Sequence, residues 1–323
     1  MSSSQKMKEV KVFAPATVAN VTCGFDVMGF ALEQPGDEIV ARRTDGGDGD
    51  GGRRVTVSKV TGDNGELPAN AEENTAGVAA RALLDHLDLD IAIELEIHKK
   101  MPLGSGMGSS AASAAGAAVA VNQLLGNPIE RMDLLPFAAE GERVACGAAH
   151  LDNVAPSLLG GFVFIRSQSP PDVFELECPV ELYATVVHPK IEIRTEDTRK
   201  ILRREVPLSR AVTQWGNVGG LVAGLLKGDY DLIGRSLVDV IVEPIRSVLI
   251  PGFEEVKQAA LQAGALGCGI SGSGPSIFSL SKNEDTARAA AKSMKREFDA
   301  MGLDNDSYIS NIRSGGPKIL EHG

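Results

Sequence analysis

Changes in the spacing of apolar positions along the chain predict a succession of strands and helices. Residues 91–98 alternate between apolar and polar side chains, which predicts a strand with one buried face. Residues 75–88 follow helical spacing, and the alanine-rich run that ends at Gly126 also predicts a helix. Further patterns predict strands at residues 10–14, 37–43, 53–60, 158–165, 182–188 and 307–312, and helices at residues 132–146, 209–226, 229–238, 254–263 and 286–302.

Two segments of unusual composition organise these elements. Residues 45–52 are nearly all Gly and Asp, which predicts the tip of a hairpin between the strands at 37–43 and 53–60. Residues 166–179 contain three prolines and several polar residues, which indicates a boundary between two domains.

A glycine-rich loop at residues 102–112, P-L-G-S-G-M-G-S-S-A-A, leads into the alanine-rich helix. Glycine allows the backbone to close on an anion, and a helix start carries partial positive charge. The loop therefore predicts a phosphate cradle, although a loop that only turns a corner has the same pattern. The P-loop, Rossmann and protein-kinase signatures are not matched. What remains is a loop in which serine hydroxyls, able to bind phosphate or Mg²⁺, replace the usual lysine.

Two other segments combine turn residues with candidate chemistry. Residues 14–26 place Thr17, Asn20 and Asp26 between apolar strands, and residues 271–274 form a Gly/Ser turn between two more. Asn and Asp also favour turns because they hydrogen-bond to their own backbone, so a capped turn is the favoured interpretation of residues 14–26 taken alone, and the turn at 271–274 is ambiguous.

Polar residues also accompany two predicted loops. His150, Asp152 and Asn153 cluster in a predicted loop before the strand at 158–165, where a functional role and a capping role both stay open. Lys99 and Lys100 directly precede the glycine loop. They either add positive potential near a phosphate or are simply a solvated surface pair, and the second interpretation is favoured.

Composition excludes several classes of protein. The chain of 323 residues has 32 Lys and Arg against 43 Asp and Glu, a net charge of −11 without a basic block, which argues against nucleic acid as a partner. The four cysteines lie far apart and show no zinc spacing. The N-terminal residues lack the apolar core of a signal peptide, and no apolar run is long enough to span a membrane. We therefore expect a soluble cytoplasmic protein.

The segments at residues 14–26, 102–112 and 267–276 together resemble the three signature motifs of the GHMP small-molecule kinases. This family is named for galactokinase, homoserine kinase, mevalonate kinase and phosphomevalonate kinase. The middle motif is the specific one, and the resemblance covers essentially the whole chain. It implies an α+β fold of two domains: one like the second domain of ribosomal protein S5 at residues 1–168, and a ferredoxin-like domain at residues 169–323. The active site would lie between them.

The resemblance also implies ATP as cosubstrate and Mg²⁺ as its metal ion. Ser110 and Glu142 match the family's metal-binding positions, and Ser109 is a second candidate beside Ser110. The ATP-binding positions that it implies are Asn74, Pro102, Leu103, Gly104, Ser105, Gly106, Met107, Gly108, Ser109 and Ser110.

Within the family, the chain is similar to the branch whose substrate is the amino acid L-homoserine. The similar segments are A-P-A-T-V-A-N-V-T-C-G-F-D-V-M-G-F-A-L, H-L-D-N-V-A-P-S-L-L-G-G, T-E-D-T-R, and V-E-P-I-R followed by I-P-G-F. The implied substrate-binding residues are Asn20, Asp26, His150, Asp152, Arg199 and Arg246. Asn153, Asp152 and Thr195 would be the catalytic residues, near the reacting hydroxyl.

The resemblance leaves some choices open. Asp152 would act either as a general base or as an anchor for the substrate ammonium group, and we favour the anchor with direct attack by the hydroxyl. A GHMP kinase for mevalonate, shikimate or a sugar is one alternative, and a non-catalytic binding protein with the same fold is another. The intact glycine loop, Ser110 and Glu142 favour an enzyme. A homodimer is expected from the family.

Overall fold

A computed structural model of the chain describes residues 7–44, 55–193, 195–312 and 315–323, without the side chains of residues 145, 146, 195 and 196. The Gly/Asp tip predicted at residues 45–52 lies outside the described residues. The structure consists of two sheets with helices packed against them. This arrangement confirms the predicted α+β fold class.

The first sheet has seven strands. They are β1 (Glu9–Ala19), β2 (Met28–Thr44), β3 (Val55–Thr61), β4 (Ala92–His98), β5 (Phe162–Gln168), β6 (Pro171–Leu176) and, near the C-terminus, a strand at Lys318–His322. The C-terminal strand pairs with β1, β1 with β2, β2 with β4, and β4 with β3, while β5 joins β2 and β6 joins β5.

Two predictions for this sheet are wrong. The strand that follows residues 45–52 does not form a hairpin with β2, because β4 lies between them and pairs antiparallel with β2 and parallel with β3. Moreover, β1 does not end at Pro15 but continues to Ala19. The register shifts between Pro15 and Thr17, and such an irregularity lets a strand accommodate a proline that cannot donate a hydrogen bond.

Four helices belong with the first sheet. They are α1 (Thr75–His86), α2 (Ser109–Leu124), α3 (Leu135–Cys146) and α4 (Leu151–Leu159). Helix α2 is buried nearly all round, so small residues dominate it. A side chain at Gly116 would come within 2.8 Å of Ile39 on β2, which shows how closely this helix approaches the sheet.

Residues 150–153 and 158–165 also depart from the predictions. Asp152 and Asn153 lie in the first turn of α4 rather than in a loop, and Leu158 and Leu159 complete that helix rather than begin a strand. The helix buries its apolar face beside α2, which accounts for the apolar pattern at its end. The strand begins only at Phe162.

The second sheet contains the C-terminal glycine segment. Its strands are β7 (Tyr183–Pro189), β8 (Gly267–Ile270), β9 (Ile277–Ser281) and β10 (Asn305–Asn311), in the order β10-β7-β9-β8 and all antiparallel. The C-terminal strand at Lys318–His322 is β11. The accompanying helices are α5 (Thr195–Lys200), α6 (Leu208–Lys227), α7 (Tyr230–Ser236), α8 (Glu243–Arg246), α9 (Phe253–Gln262) and α10 (Glu284–Ala300).

The two sheets share an apolar core. Phe30 on β2 meets Phe278 on β9 edge to face, with ring centroids 5.8 Å apart. This contact brings the segment after β1, the glycine loop before α2 and the turn after β8 to one place. Both β6 and β11 follow residue 168 and yet lie in the first sheet. The boundary between residues 1–168 and 169–323 stays a prediction. None of the described helices is long and apolar enough to cross a membrane.

Candidate active site

The glycine loop delivers an uncapped helix start to a cavity. Gly104, Gly106 and Gly108 have φ angles of 63°, 79° and 66°, in the left-handed region where glycine is the least strained residue. Gly108 is the N-cap of α2 and offers no side chain to the first amide groups of that helix. These N–H groups and the positive end of the helix are therefore available to an anion.

Hydrogen bonds to two of its carbonyl groups hold this loop in place. The Thr17 N–H donates to the Met107 carbonyl at 3.0 Å. From the second sheet, the Ser271 hydroxyl donates to the Gly106 carbonyl at 2.8 Å. A Cβ atom at Gly106 would lie 2.4 Å from the Ser271 carbonyl oxygen. Glycine is therefore required there both by its positive φ angle and by this close approach. The loop is thus preorganised by contacts that span the two sheets.

A cavity of about 380 Å³ lies beside the loop and collects nearly all of the predicted site residues. Among the described residues, Pro102 does not line it, and the side chain of Thr195, at the start of α5, lies outside the description. The predicted residues that line it are Asn20, Asp26, Asn74, Leu103, Gly104, Ser105, Gly106, Met107, Gly108, Ser109, Ser110, Glu142, His150, Asp152, Asn153, Arg199 and Arg246.

The segment after β1 is strained where it enters the cavity. Asn20, Val21 and Thr22 have consecutive positive φ angles of 72°, 42° and 59°, and Asp26 has one of 58°. Such angles cost free energy in β-branched residues and persist only where the surroundings enforce them. Asn20 supplies part of that enforcement. Its amide nitrogen donates to the Gly272 carbonyl at 2.8 Å, and its oxygen accepts from the Asp26 N–H at 3.0 Å. Asn20 therefore positions Asp26.

Arg199 joins the C-terminal half of the chain to this segment. Its guanidinium group binds both carboxylate oxygens of Asp26, at 3.1 and 2.7 Å, and donates to His150 Nδ1 at 3.1 Å. Burial opposes the charge on Arg199, but the bond to Asp26 outweighs it and raises the Arg199 pKa. Burial and the charge on Arg199 lower the pKa of His150, so this imidazole is neutral and accepts through Nδ1.

Arg246 is a buried cation on the same side of the cavity. It is 4% exposed, and it donates through Nη1 to the Gly272 carbonyl at 3.1 Å. Its Nε is buried with no hydrogen-bond partner among the described residues. Burial, reinforced by Arg199, lowers the pKa of Arg246 to about 10. A buried cation with an unused donor is a favourable place for an anionic group of a ligand.

Both guanidinium groups lie against one aromatic ring that the sequence motifs did not single out. The Cζ atoms of Arg246 and Arg199 are 5.0 and 5.6 Å from the centroid of the Phe25 ring. Contacts of this type are attractive because the face of the ring is electronegative. Phe25 belongs to the C-G-F-D part of the first motif, and this is the only sequence signal that could have found it.

Asp152 is a buried acid of the cavity whose pKa is strongly raised. It is 3% exposed, and burial together with the charge of Asp26 raises its pKa to about 7. One polar atom each of Asp26, His150 and Asp152 lie within 4.8 Å of one another. This cluster is a complement for a cation, because a positive group placed there would return Asp152 to its ionised form.

Asn153, which follows Asp152 on α4, is held from behind. Its amide oxygen accepts from the buried Thr17 hydroxyl at 2.7 Å. The amide nitrogen of Asn153 is the end of the side chain that is left to donate towards a ligand. A Cβ atom at Gly108 would lie 2.0 Å from the Thr17 oxygen and 2.7 Å from the Asn153 oxygen. Glycine at position 108 thus leaves the space that the hydrogen-bonded side chains of Thr17 and Asn153 occupy.

A buried ion pair supports the helix start from below. The expectation that Lys99 is solvated is wrong: its side chain is 2% exposed, and its ammonium group lies 2.5 Å from Asp37. The same group donates to the Ser109 carbonyl and the Ser113 hydroxyl. Burial lowers the pKa of Lys99 against the opposing charge of Asp37. Lys100 is the exposed member of the two lysines. No local sequence pattern could have paired residues 62 positions apart.

The hydroxyls of the loop have different surroundings. Ser109 donates to Asp37 at 2.9 Å and is therefore engaged within the protein. The Ser105 hydroxyl is buried with no hydrogen-bond partner among the described residues. Ser110 lines the cavity together with Glu142, a carboxylate of α3 that is only 2% exposed. Asn74 uses both ends of its amide within the protein, accepting from the Ala76 N–H and donating to the Pro68 carbonyl.

Comparisons with known proteins agree with this geometry. Residues 74–161 match the model of the GHMP kinases N terminal domain, and residues 221–300 match that of the GHMP kinases C terminal. A homoserine kinase from Chlorobium phaeovibrioides is 51% identical over 322 residues, which cover 97% of this chain and 100% of the relative. A homoserine kinase from Xanthomonas campestris is 39% identical over 318 residues, covering 98% of this chain and 96% of the relative.

Solved structures give the same result. The crystal structure of a homoserine kinase from Cytophaga hutchinsonii has a TM-score of 0.93 and 55% identity, and covers 99% of each chain. The chain therefore belongs to the GHMP kinases and, within them, to the homoserine kinase family. This confirms the family that the three motifs predicted.

Proposed function

We propose that this protein transfers the γ-phosphoryl group of ATP to the side-chain hydroxyl of L-homoserine, which gives ADP and O-phospho-L-homoserine on the route to threonine. The observation that carries the proposal is the composition of the cavity of about 380 Å³ beside the glycine loop. It combines a phosphate cradle at a helix start with Arg199 and Arg246 and with Asp26 and Asp152, the complement of a zwitterionic amino acid. Relatives that cover the chain from end to end carry the name homoserine kinase.

The phosphates of ATP would lie along residues 104–110. The amide groups at the start of α2 and the unpartnered hydroxyl of Ser105 are suitable donors for phosphate oxygens. A loop of this kind needs no lysine of its own, because its donors are backbone groups held in place by Thr17 and Ser271. Asn74 caps α1 at the rim of the same cavity, which supports its predicted place near the nucleotide.

Ser110 and Glu142 would hold Mg²⁺. The fit rests on the chemistry of the donors: both are oxygen ligands of the type that Mg²⁺ prefers, and both line the phosphate side of the cavity. When bound there, the metal ion would neutralise charge on the phosphates during transfer. Because the Ser109 hydroxyl donates to Asp37, Ser110 is the better candidate of the two serines.

The amino acid would be held by its two charges. Arg246 offers an unused buried donor to the carboxylate. The guanidinium group of Arg199 contacts the same Phe25 ring as that of Arg246, so it is available as a second donor group nearby. The ammonium group of homoserine fits the cluster of Asp26, His150 and Asp152. One polar atom from each of these residues lies within 4.8 Å of the other two. In this arrangement Asp152 is ionised by the substrate that it binds, so it serves as an anchor.

The transfer step then requires positioning rather than a dedicated base. The homoserine oxygen attacks the γ-phosphorus, the bond from that phosphorus to the β,γ-bridging oxygen breaks, and ADP leaves with its electron pair. The hydroxyl proton passes to an oxygen of the transferred phosphoryl group. Asn153 donates through its amide nitrogen to the reacting groups, since its oxygen is held by Thr17. Thr195, at the start of α5, keeps its predicted place near the hydroxyl.

An assay of ADP release with Mg²⁺, ATP and a panel of acceptors tests the function. The panel contains L-homoserine, mevalonate, shikimate and galactose. We expect kcat/KM for homoserine to exceed that for each other acceptor by at least about 100-fold, which corresponds to ~2.7 kcal/mol of discrimination. A preference for another acceptor would identify a different GHMP kinase, and no turnover with any would favour a binding protein.

We further propose that the protein works in the cytoplasm as a homodimer. The family membership supports these two points. Light scattering coupled to gel filtration measures the assembly directly: a mass of twice 33.9 kDa supports the dimer, and a mass of 33.9 kDa contradicts it.

A further inference from the structure

A second cavity, of about 220 Å³, adjoins the ring of Phe25. Phe25 lines this cavity, whereas Arg199 and Arg246, which contact its ring, line the first one. One aromatic side chain thus lines the second cavity and contacts two residues of the first. The volume is below the ~300–1,000 Å³ of pockets for drug-sized ligands, so only a small molecule would fit.

The walls of the second cavity are apolar and its charges are cationic in balance. The apolar members come from the loop before α6, from the segment that leads into α8 and from α8 itself: Leu202, Val206, Pro207, Ile241, Val242 and Ile245. The charged members are Arg203, Glu205 and Arg210. In the part of the chain that the structure describes, the side chains of Arg203 and Arg210 form no ion pair.

We infer that this cavity, which combines apolar walls with two unpaired arginines, binds a small carboxylate with an apolar tail and acts on the substrate site through Phe25. The carboxylate suits the planar fork of an arginine, and the tail removes the apolar walls from water. A phosphate or a nucleotide does not suit walls of this kind, and a long lipid chain does not fit the volume.

The coupling follows from the position of Phe25. A ligand in the second cavity packs on the ring from behind and holds it against Arg199 and Arg246. The two guanidinium groups are then fixed before the amino acid arrives, which removes part of the ordering cost of binding. The occupant therefore lowers KM for homoserine and leaves kcat unchanged. This second statement rests on the proposed function, whereas binding to the cavity does not.

Saturation-transfer NMR and calorimetry on the full-length protein test the binding without any use of catalysis. The probes are isovalerate, acetate, which lacks the tail, and 3-methylbutanol, which lacks the charge. We expect isovalerate to bind in the presence of saturating homoserine, and each of the other two to bind at least about 10-fold more weakly. L-leucine forms a further arm: tighter binding than isovalerate identifies an amino acid as the natural ligand, and equal or weaker binding identifies a simple acid.

Matched variants place the site. The double variant Arg203→Gln/Arg210→Gln should bind isovalerate at least about 10-fold more weakly than the unaltered protein. Arg235 is an exposed arginine on α7, and Arg235→Gln should leave the affinity for isovalerate unchanged. In kinetic assays, isovalerate should lower KM for homoserine several-fold, and Phe25→Leu should lose this response while still binding the probe. Unfolding temperatures of all variants verify that they fold.

Three results would overturn the inference. The first is that isovalerate does not bind, and the second is that its binding ignores Arg203 and Arg210. The third is a change of oligomeric state in the double variant without any binding of the probe, which would assign this face to an interface between copies. If binding holds but KM does not respond, the coupling through Phe25 is refuted.

Discussion

The ammonium group of Lys99 and the carboxylate of Asp37 lie 2.5 Å apart beneath the start of α2, and both side chains are buried. The pair does more than neutralise itself. Lys99 also donates to the Ser109 carbonyl and the Ser113 hydroxyl, and Asp37 accepts from the Ser109 hydroxyl and the Lys100 N–H. The first turn of α2, the proposed phosphate cradle, is thus held by a charged network that extends to β2 and the end of β4.

Removing one charge from this pair should destabilise the fold strongly. Lys99→Met leaves a buried carboxylate without a counter-charge, and we expect a loss of about 3–5 kcal/mol in the free energy of unfolding. Lys100→Met is the matched control, because Lys100 is exposed, and it should cost less than about 1 kcal/mol. Urea unfolding measures both. The double variant Asp37→Asn/Lys99→Met should recover part of the loss. A similar stability for the two single lysine variants would contradict the structural role of Lys99.

The raised pKa of Asp152 predicts a pH-dependent affinity for the amino acid. Because the pKa is about 7 in the free protein, the carboxylate is partly protonated at neutral pH and must ionise to anchor the ammonium group. KM for homoserine should therefore fall as pH rises through about 7 and then level off, while KM for ATP stays flat. In Asp152→Asn, KM should be high at every pH, with a much smaller change in kcat. A pure kcat defect in this variant would instead identify Asp152 as a general base.

The carboxyl group of Asp152 also affects the free energy of unfolding, which should fall as pH rises, whereas the affinity for homoserine should increase. Its pKa is higher in the folded state than the ordinary value of 3.8, so the folded state binds the proton more tightly. This stabilisation is complete below pH 3.8 and is lost as pH rises through about 7. Asp152→Asn should flatten the pH dependence of unfolding in this window, whereas Asp304→Asn, at an exposed position, should not. Equal slopes for all three proteins would show that Asp152 has an ordinary pKa.

A single methyl group at Gly108 should disrupt the site beyond the cost of its backbone angle. Gly108 and Gly126 stand at the two ends of α2 with φ angles of 66° and 87°, so alanine pays ~1–2 kcal/mol of strain at either place. Only at Gly108 does the new Cβ meet neighbours, with Thr17 at 2.0 Å and Asn153 at 2.7 Å. Gly108→Ala should lower kcat by at least about 100-fold, while Gly126→Ala keeps kcat within about 2-fold. Comparable activities would exclude a catalytic role for this contact.

The proposed carboxylate-binding role of Arg246 can be separated from its charge by substitution. Arg246→Lys keeps a cation but loses the planar fork, the Nε donor and the contact with Phe25. We expect KM for homoserine to rise about 10–100-fold, which corresponds to ~1.4–2.7 kcal/mol, with KM for ATP unchanged. Arg235→Lys on α7 serves as the control. An Arg246→Lys variant with normal KM would remove Arg246 from the substrate site.

Motif comparison predicted the residues that face the cavity better than those that support them. Asp26, Asp152, Arg199 and Arg246 lie on four separate segments, and periodicity alone could not bring them together. The resemblance to a family did so, because a family motif carries tertiary information. Lys99 was misjudged because its partner Asp37 is distant in sequence and only the pairing of β2 with β4 places them together.

The wrong predictions of strand pairing and of element boundaries have a similar origin. The pattern of residues 53–60 correctly indicates a strand, but no local signal shows that β4 separates it from β2. At residues 158–159, the end of helix α4 is hard to recognise, since Leu158 and Leu159 and the first residues of β5 are all apolar. Burial removes the alternation by which a strand is recognised.

The central claim is that homoserine receives the phosphoryl group on its hydroxyl, and the structure of the product tests it most directly. The purified protein is incubated with Mg²⁺, ATP and L-homoserine, and the mixture is examined by ³¹P–¹H correlation NMR. Phosphoryl transfer to this hydroxyl predicts one new phosphomonoester resonance, coupled to the methylene protons next to the former hydroxyl and formed in equal amount to ADP. Release of inorganic phosphate alone, or phosphorus coupled to no proton of homoserine, would contradict it.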